Sequence, residues 1–264
     1  MESAVASSNL NNFKLFAEEL ANTAREMIAE AKASGKSLEF EVKEDQSPVT
    51  EMDTAIEEEF RKQIANSFPE HGVLGEEYGD LNPDSKFKWV IDPIDGTTEF
   101  LAGLPTFGCI ISLYLGNEPL LGIIDHPALE QRLVGVKDQG VSLNGQPLAR
   151  YDEQTANNRF VVSAPSNFVR LGNDLKLFNN YCQEFHFVRV YHSCYTYTNI
   201  FLGMADLMLD WKVKPWDRSC SKLFCSELGV DYLPLSSEDD DFRIANFSYA
   251  MGRPEALERL KKII

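Results

Sequence analysis

The stretch Trp89-Val90-Ile91-Asp92-Pro93-Ile94-Asp95-Gly96-Thr97-Thr98-Glu99-Phe100 constrains this chain more than any other. Its apolar start predicts a strand over 88–91 that delivers Asp92 at its end. Pro93 stiffens the backbone and Asp95 follows at a turn, so two carboxylates can converge on one point. If a helix or turn begins at Gly96 and Thr97, their N–H groups are free to hold the oxygens of an anion. Carboxylates, carbonyls and such a turn suit hard, oxygen-ligated ions, Mg²⁺ above all. Taken alone, Asp-Pro and Asp-Gly are also ordinary turn formers.

Other acids at element ends shift the balance. Gly75-Glu76-Glu77 follows the apolar pair Val73-Leu74, Pro48-Val49-Thr50-Glu51-Met52-Asp53 opens a helical run, and Pro215-Trp216-Asp217 precedes another. Element termini are where functional side chains gather.

Around these motifs the pattern is legible. Phe13, Phe16, Leu20, Ala24, Met27, Ile28 and Ala31 recur at helical spacing, and a second helix is predicted from Thr50 to Phe68 with Ile56, Phe60 and Ile64 inward. Leu38–Val42 alternates like a strand. Short apolar runs at 73–74, 88–91, 108–115, 119–125 and 133–136, with the hairpin turn Asn144-Gly145, predict a largely antiparallel sheet. After a polar stretch over 149–159, strand-like runs (160–163, 185–191) alternate with helical ones (171–185, 195–203, 219–229), an α/β pattern. The expected division is an α+β half, 1–148, carrying most of the acidic motifs, and an α/β half, 149–264, contributing Asp217.

Composition narrows the chemistry. The 264 residues carry 41 acidic and 25 basic side chains, a net charge of −16, which would repel a nucleic-acid backbone or an anionic membrane. A phosphate-bearing ligand must therefore meet a local positive feature. Five cysteines without CxxC spacing read as reduced buried thiols, and His71, His126, His186 and His192 lack zinc-ligand spacing. No basic-then-apolar leader occurs at Met1–Asn12, and nowhere do about 18 apolar residues run together. The expectation is a cytoplasmic protein.

Taken together, Asp92-Pro93-Ile94-Asp95-Gly96-Thr97-Thr98, Gly75-Glu76-Glu77 and Trp216-Asp217 resemble the signature of the inositol-monophosphatase family, over about Lys43 to Gly229. The resemblance implies a layered α-β-α-β-α sandwich, a Mg²⁺-dependent phosphomonoesterase, a small phosphorylated alcohol as substrate, and a homodimer. It places a first ion on Glu76, Asp92 and the carbonyl of Ile94, a second on Asp92, Asp95 and Asp217, and a weaker third on Glu76. It implies that Thr97, paired with Asp53, orients and deprotonates the attacking water, with Thr50 in support. Gly96 and Thr97 would donate N–H groups to the phosphate, and Asp210 with Asp217, seven residues on, would meet the substrate. Where the family continues with Ala-Ala-Gly, this chain has Arg218-Ser219-Cys220-Ser221, so Arg218 is expected either to meet a substrate anion or to face solvent. Lys43 and Asp45 lie outside this core set.

Several strings (47–50, Asp125-His126-Pro127, 143–146, Cys194-Tyr195, Lys214-Pro215) look more like the histidinol-phosphate phosphatase branch, although Ser193 stands where that branch often has an acid. Histidinol phosphate is thus the expected substrate, with inositol 1-phosphate close behind. A nucleotide 3′-phosphatase fits less well, because that branch is longer before its Gly-Glu-Glu motif. Two readings from other classes remain: a two-metal nuclease, opposed by the charge and by the lack of a basic stripe, and a non-catalytic binder of phosphorylated metabolites.

Overall fold

The computed structural model describes residues 7–34, 39–43, 48–150, 161–163, 175–185, 187–236 and 241–264. Residues 44–47, 151–160 and 164–174, with parts of the predicted runs they carry, lie outside the described residues, as do Gly35, Leu38 and Asp45.

In chain order the first part comprises α1 (Ser7–Ala33), β1 (Phe40–Val42), β2 (Pro48–Thr50), α2 (Glu51–Ser67), β3 (Gly72–Gly75), β4 (Gly79–Leu81), β5 (Phe87–Asp95), α3 (Thr97–Leu101), β6 (Gly108–Leu115), β7 (Glu118–His126), β8 (Gln131–Val136), β9 (Gly140–Leu143) and β10 (Gln146–Pro147). Then come β11 (Val161–Ser163), α4 (Leu175–Glu184), β12 (Val188–Arg189), α5 (Cys194–Phe201), β13 (Leu207–Val213), α6 (Ser221–Leu228), β14 (Asp231–Pro234), β15 (Phe247–Gly252) and α7 (Pro254–Leu260). An eight-stranded sheet runs β10-β9-β8-β7-β6-β5-β3-β4 and a five-stranded sheet runs β12-β11-β13-β15-β14. Within the large sheet β3 and β5 pair in parallel and the other pairs are antiparallel.

The period-two alternation of each strand separates five layers. Cys109, Ile111, Leu113, Leu121, Ile123, Val134 and Val136 face one way and pack on α1 and α2. Their neighbours Ile110, Ile124 and Leu133 face the other way, into a core shared with α5, α6, Met208, Phe247, Tyr249 and Met251. Leu207, Leu209 and Ala250, one residue out of step with that set, pack on Tyr181 and Phe185 and on Leu257 and Leu260 of α7. The architecture is therefore α-β-α-β-α, as the family resemblance implies.

Glycine sets how closely the middle helices approach the large sheet. A Cβ on Gly135 would lie 2.5 Å from Phe224 Cε1, and one on Gly122 would lie 2.9 Å from Cys220 Sγ. Because Phe224 is fully buried, Gly135→Ala is expected to cost about 1–3 kcal/mol through overpacking. Urea unfolding checks this, and an unchanged midpoint would mean that the layers separate freely.

On the opposite face, α1 is tied to β7 by Arg25, whose Nε and Nη2 donate to Asp125 at 2.8 and 2.9 Å; Arg132 Nε adds a third bond at 2.6 Å. An aromatic cluster closes the far end. His71 is stacked between Phe68 and Phe87, both at 4.8 Å, and accepts the Trp89 indole N–H at Nδ1, 3.1 Å. Burial holds its pKa down to about 4. Among the described residues no helix is long and apolar enough to cross a membrane.

Candidate metal and phosphate site

The parallel pairing of β3 with β5 builds the site. Gly75 lies opposite Ile91, so Glu76 and Asp92 follow side by side; β5 does not end at Asp92 as predicted but continues through it, paired with Ile110, to Asp95. Both strands are buried almost throughout, as a parallel pair at a sheet interior requires. Along the β5–β6 ladder the register shifts between Asp92 and Asp95, at Pro93-Ile94, a bulge that turns Asp95 back toward Asp92. Asp217 arrives from the turn between β13 and α6, with its Oδ2 accepting from Lys214 N at 3.1 Å. Carboxylate oxygens of Asp92, Asp95 and Asp217 all lie within 4.8 Å of one another.

This convergence is electrostatically unfavourable by itself. Desolvation, then repulsion from Glu76, Asp95 and Asp217, holds the Asp92 carboxyl well above the usual range. Asp217 is raised well above it by desolvation and then by Asp95 and Glu76. Asp95 is pushed up to about 7, chiefly by desolvation, although it accepts the Cys194 backbone N–H. Asp92 Oδ1 is buried without a hydrogen-bond partner. A desolvated, unmatched oxygen among three crowded carboxylates fits a divalent cation, which supplies the missing charge and coordination.

At the start of α2 the side chains interlock. Asp53 Oδ2 accepts from Thr50 N at 2.8 Å and Thr50 Oγ1 at 2.5 Å, while Thr50 Oγ1 accepts from Met52 N. This is a capping box, which fixes both residues as the helix begins. The other oxygen of Asp53 lies 3.1 Å from Thr97 Oγ1, which also lies 3.2 Å from the carbonyl of Ile94. The Asp53–Thr97 pairing expected from the resemblance is thus present. Burial raises the Asp53 pKa against these hydrogen bonds.

Gly96, at φ 90°, links β5 to α3 in a left-handed conformation that an L side chain adopts only under strain. A Cβ there would also lie 2.8 Å from Ser193 Oγ. Behind it, His126 Nδ1 donates to Phe107 O at 3.0 Å and its Nε2 meets Thr198 Oγ1 at 2.9 Å, joining the end of β7 to α5, whose first N–H meets Asp95. Asp210 is buried on β13, accepting from Tyr197 OH at 2.7 Å and Trp211 N at 2.9 Å. Its charge is felt at Asp217.

The expectation that Arg218 faces solvent does not hold. It is buried, its Nη2 donates to Asp241 O at 2.8 Å, and its guanidinium lies 4.1 Å from the Phe247 ring centroid. Its neighbours also turn inward: Ser219 Oγ meets Ser112 Oγ at 2.9 Å, Cys220 packs at Gly122, and Ser221 Oγ lies 3.0 Å from Tyr249 OH. The residues replacing the family's small ones fill the middle layer. Of the five free cysteines four are buried, as expected, and Cys182 is exposed.

Two residues outside the predicted set belong here. Lys43 Nζ bridges Glu76 Oε1 and Glu77 Oε1, each at 2.8 Å. Glu57, fully buried in α2, binds the turn that carries Glu76. The sequence signal for Lys43 was only its place before the Ser47-Pro48 turn; Glu57 has none.

The fold is shared with proteins of known structure. A phosphatase described as an IMPase/NADP phosphatase, in complex with Mg²⁺ and phosphate, matches with a TM-score of 0.84 at 18% identity, over 97% of this chain and 95% of that one. The sandwich is thus the fold of these IMPase structures. The chain belongs to the inositol monophosphatase family, whose model matches residues 9–262. It is 31% identical over 231 residues to a histidinol-phosphatase of Chlorobaculum parvum, covering 83% of this chain and 85% of that protein. It is 30% identical over 226 residues to a chloroplastic bifunctional phosphatase of Arabidopsis thaliana, covering 81% of this chain but only 62% of the plant protein.

Proposed function

We propose that the chain is a Mg²⁺-dependent phosphomonoesterase of a small phosphorylated alcohol, histidinol phosphate ahead of inositol 1-phosphate. The observation that carries the reading is the convergence of Asp92, Asp95 and Asp217 around an Asp92 oxygen with no protein partner. Glu76, Asp92 and the carbonyl of Ile94 would hold one ion, and Asp92, Asp95 and Asp217 a second. Lys43 already neutralises Glu76 and Glu77, which favours two ions over three. Bound ions supply an acidified water, charge neutralisation at the phosphoryl group and stabilisation of the leaving alkoxide.

The chain's own residues do the rest. Thr97 orients the attacking water and relays its proton to Asp53, whose raised pKa suits a base. Gly96 and Thr97 present N–H groups to phosphate oxygens, and Asp210 meets a hydroxyl or ammonium of the alcohol. Hydrolysis is an in-line displacement without a phosphoenzyme, in which positioning and electrostatics supply the acceleration.

The similarity to a histidinol-phosphatase and the strings around Asp125 and Cys194 support the ammonium-bearing substrate; Ser193 is the departure from that pattern. Phosphate release from the two esters, measured side by side with and without Mg²⁺, tests both levels. Ion-dependent release faster from histidinol phosphate is expected. A faster rate from inositol 1-phosphate reverses the substrate order, and no release from either replaces this reading with a different substrate or a non-catalytic binder.

A further inference from the structure

Glu76 stands not in a strand but on the turn between β3 and β4, where the main chain has to be held if its carboxylate is to face Asp92. We propose that Glu57 of α2 is a positioning residue that fixes this turn and thereby sets the affinity of the site for divalent ions, an inference that rests on the metal-site reading above.

The Glu57 carboxylate is fully buried. Its Oε2 accepts from Glu77 N at 2.8 Å and its Oε1 from Tyr78 N at 3.1 Å, the two N–H groups immediately after Glu76. Arg61, one helical turn on, lies 2.7 Å from Glu57 Oε1 and reaches past it to donate to Gly79 O at 2.6 Å. One carboxylate and one guanidinium therefore grip the donors and an acceptor of the same short turn. Gly75, just before Glu76, completes the fit: a Cβ there would lie 2.1 Å from Glu57 Oε1, so the main chain can sit on the carboxylate only without a side chain.

Burial of α2 does not require a charge at this position. Ile56, Phe60 and Ile64 supply its inward face, and a buried ion pair is often no more stabilising than apolar residues of similar volume. What the carboxylate adds is direction: two convergent acceptor oxygens define where Glu77 N and Tyr78 N must lie, and with them the start of the Glu76 side chain. Groups that orient a metal ligand in this way change ion affinity by about 10–100-fold when removed.

Calorimetric titration of Mg²⁺ and Mn²⁺ without substrate, on protein whose fold is checked by circular dichroism, tests the inference. Glu57→Gln places an amide against N–H groups, and Glu57→Asp keeps the charge but shortens its reach. Each is expected to weaken ion binding about 10–100-fold, and Glu57→Asp carries the test should the amide fail to fold. If Glu57 acts through Glu76, the double variant E57Q/E76A binds no more weakly than E76A alone.

Wild-type affinity in a folded Glu57 variant, with only the melting temperature lowered, would show a structural role and overturn the inference. So would full additivity in the double variant. Absence of ion binding by the wild type removes the metal-site reading itself, and the inference with it.

Discussion

Asp95→Asn is expected to reduce Mg²⁺-dependent phosphate release by at least about 10³-fold in kcat/KM, about 4 kcal/mol of transition-state stabilisation. The substitution is isosteric, and the amide oxygen can still accept the Cys194 N–H that Asp95 holds. The change falls on the other side of the group: an acceptor-only carboxylate becomes partly a donor, aimed at Asp92 and Asp217 within the same 4.8 Å cluster. The protein should therefore fold and lose the ion shared by these residues. Steady-state kinetics at several Mg²⁺ concentrations, with circular dichroism as a control for folding, checks this. Activity within about tenfold of wild type at saturating Mg²⁺, a loss of at most about 1.4 kcal/mol, would sink the assignment of Asp95 as a ligand.

The second large effect is on stability without metal. Asp95 has a folded pKa of about 7, against about 3.9 when unfolded. A raised acid binds its proton more tightly in the folded state, so its stabilisation is full below the unfolded pKa and is lost as pH rises through the folded one. Asp92 and Asp217 are raised for the same reasons and act in the same direction. His71 has the opposite sense: held near 4, it contributes stability above about 6.5 that is lost as pH falls toward 4.

Metal-free protein should thus be less stable at pH 8 than near pH 5.5: Asp95 loses about 2 kcal/mol over that range, His71, screened by water, returns at most about 1.4 kcal/mol of it, and Asp92 and Asp217 add to the loss. Mg²⁺ should restore the loss at pH 8 and add little at pH 5.5. Asp92→Asn should raise the metal-free melting temperature at pH 8, flatten the pH slope and abolish the Mg²⁺ gain. Thermal melts across pH, with EDTA or Mg²⁺, check all three, and a pH-independent Mg²⁺ gain would contradict the coupling.

Much of the site was legible because its residues lie at ends of strongly patterned elements. The run into Asp92 is apolar, although β5 continues past Pro93 to Asp95, and Thr50 and Asp53 have the spacing of a cap. The helix over Thr50–Phe68 was placed almost to its observed limits, Glu51–Ser67, whereas α1 begins at Ser7, earlier than its apolar stripe. The strands Leu207–Val213 and Phe247–Gly252 and helix α7 went unpredicted. Both strands are buried on two faces, so the alternation that marks a half-exposed strand is weak.

Arg218 misled because an arginine at a helix start reads as a surface group; the Phe247 ring and the Asp241 carbonyl, distant in sequence, make burial tolerable. Glu57 left no signal at all. Its partners are backbone N–H groups, which every residue but proline carries, so no residue type marks them.

The proposed ion-binding set is divided along the chain, with Glu76, Asp92 and Asp95 on one side and Asp217 far beyond. During synthesis the first three emerge well before the fourth, at about 5–20 residues per second. The second ion site cannot close on the ribosome until the turn before α6 has been made and the middle helices have settled on the large sheet. On the proposed reading, loading of that site reports a completed middle layer, and a nascent or truncated chain lacking Asp217 is expected not to release phosphate.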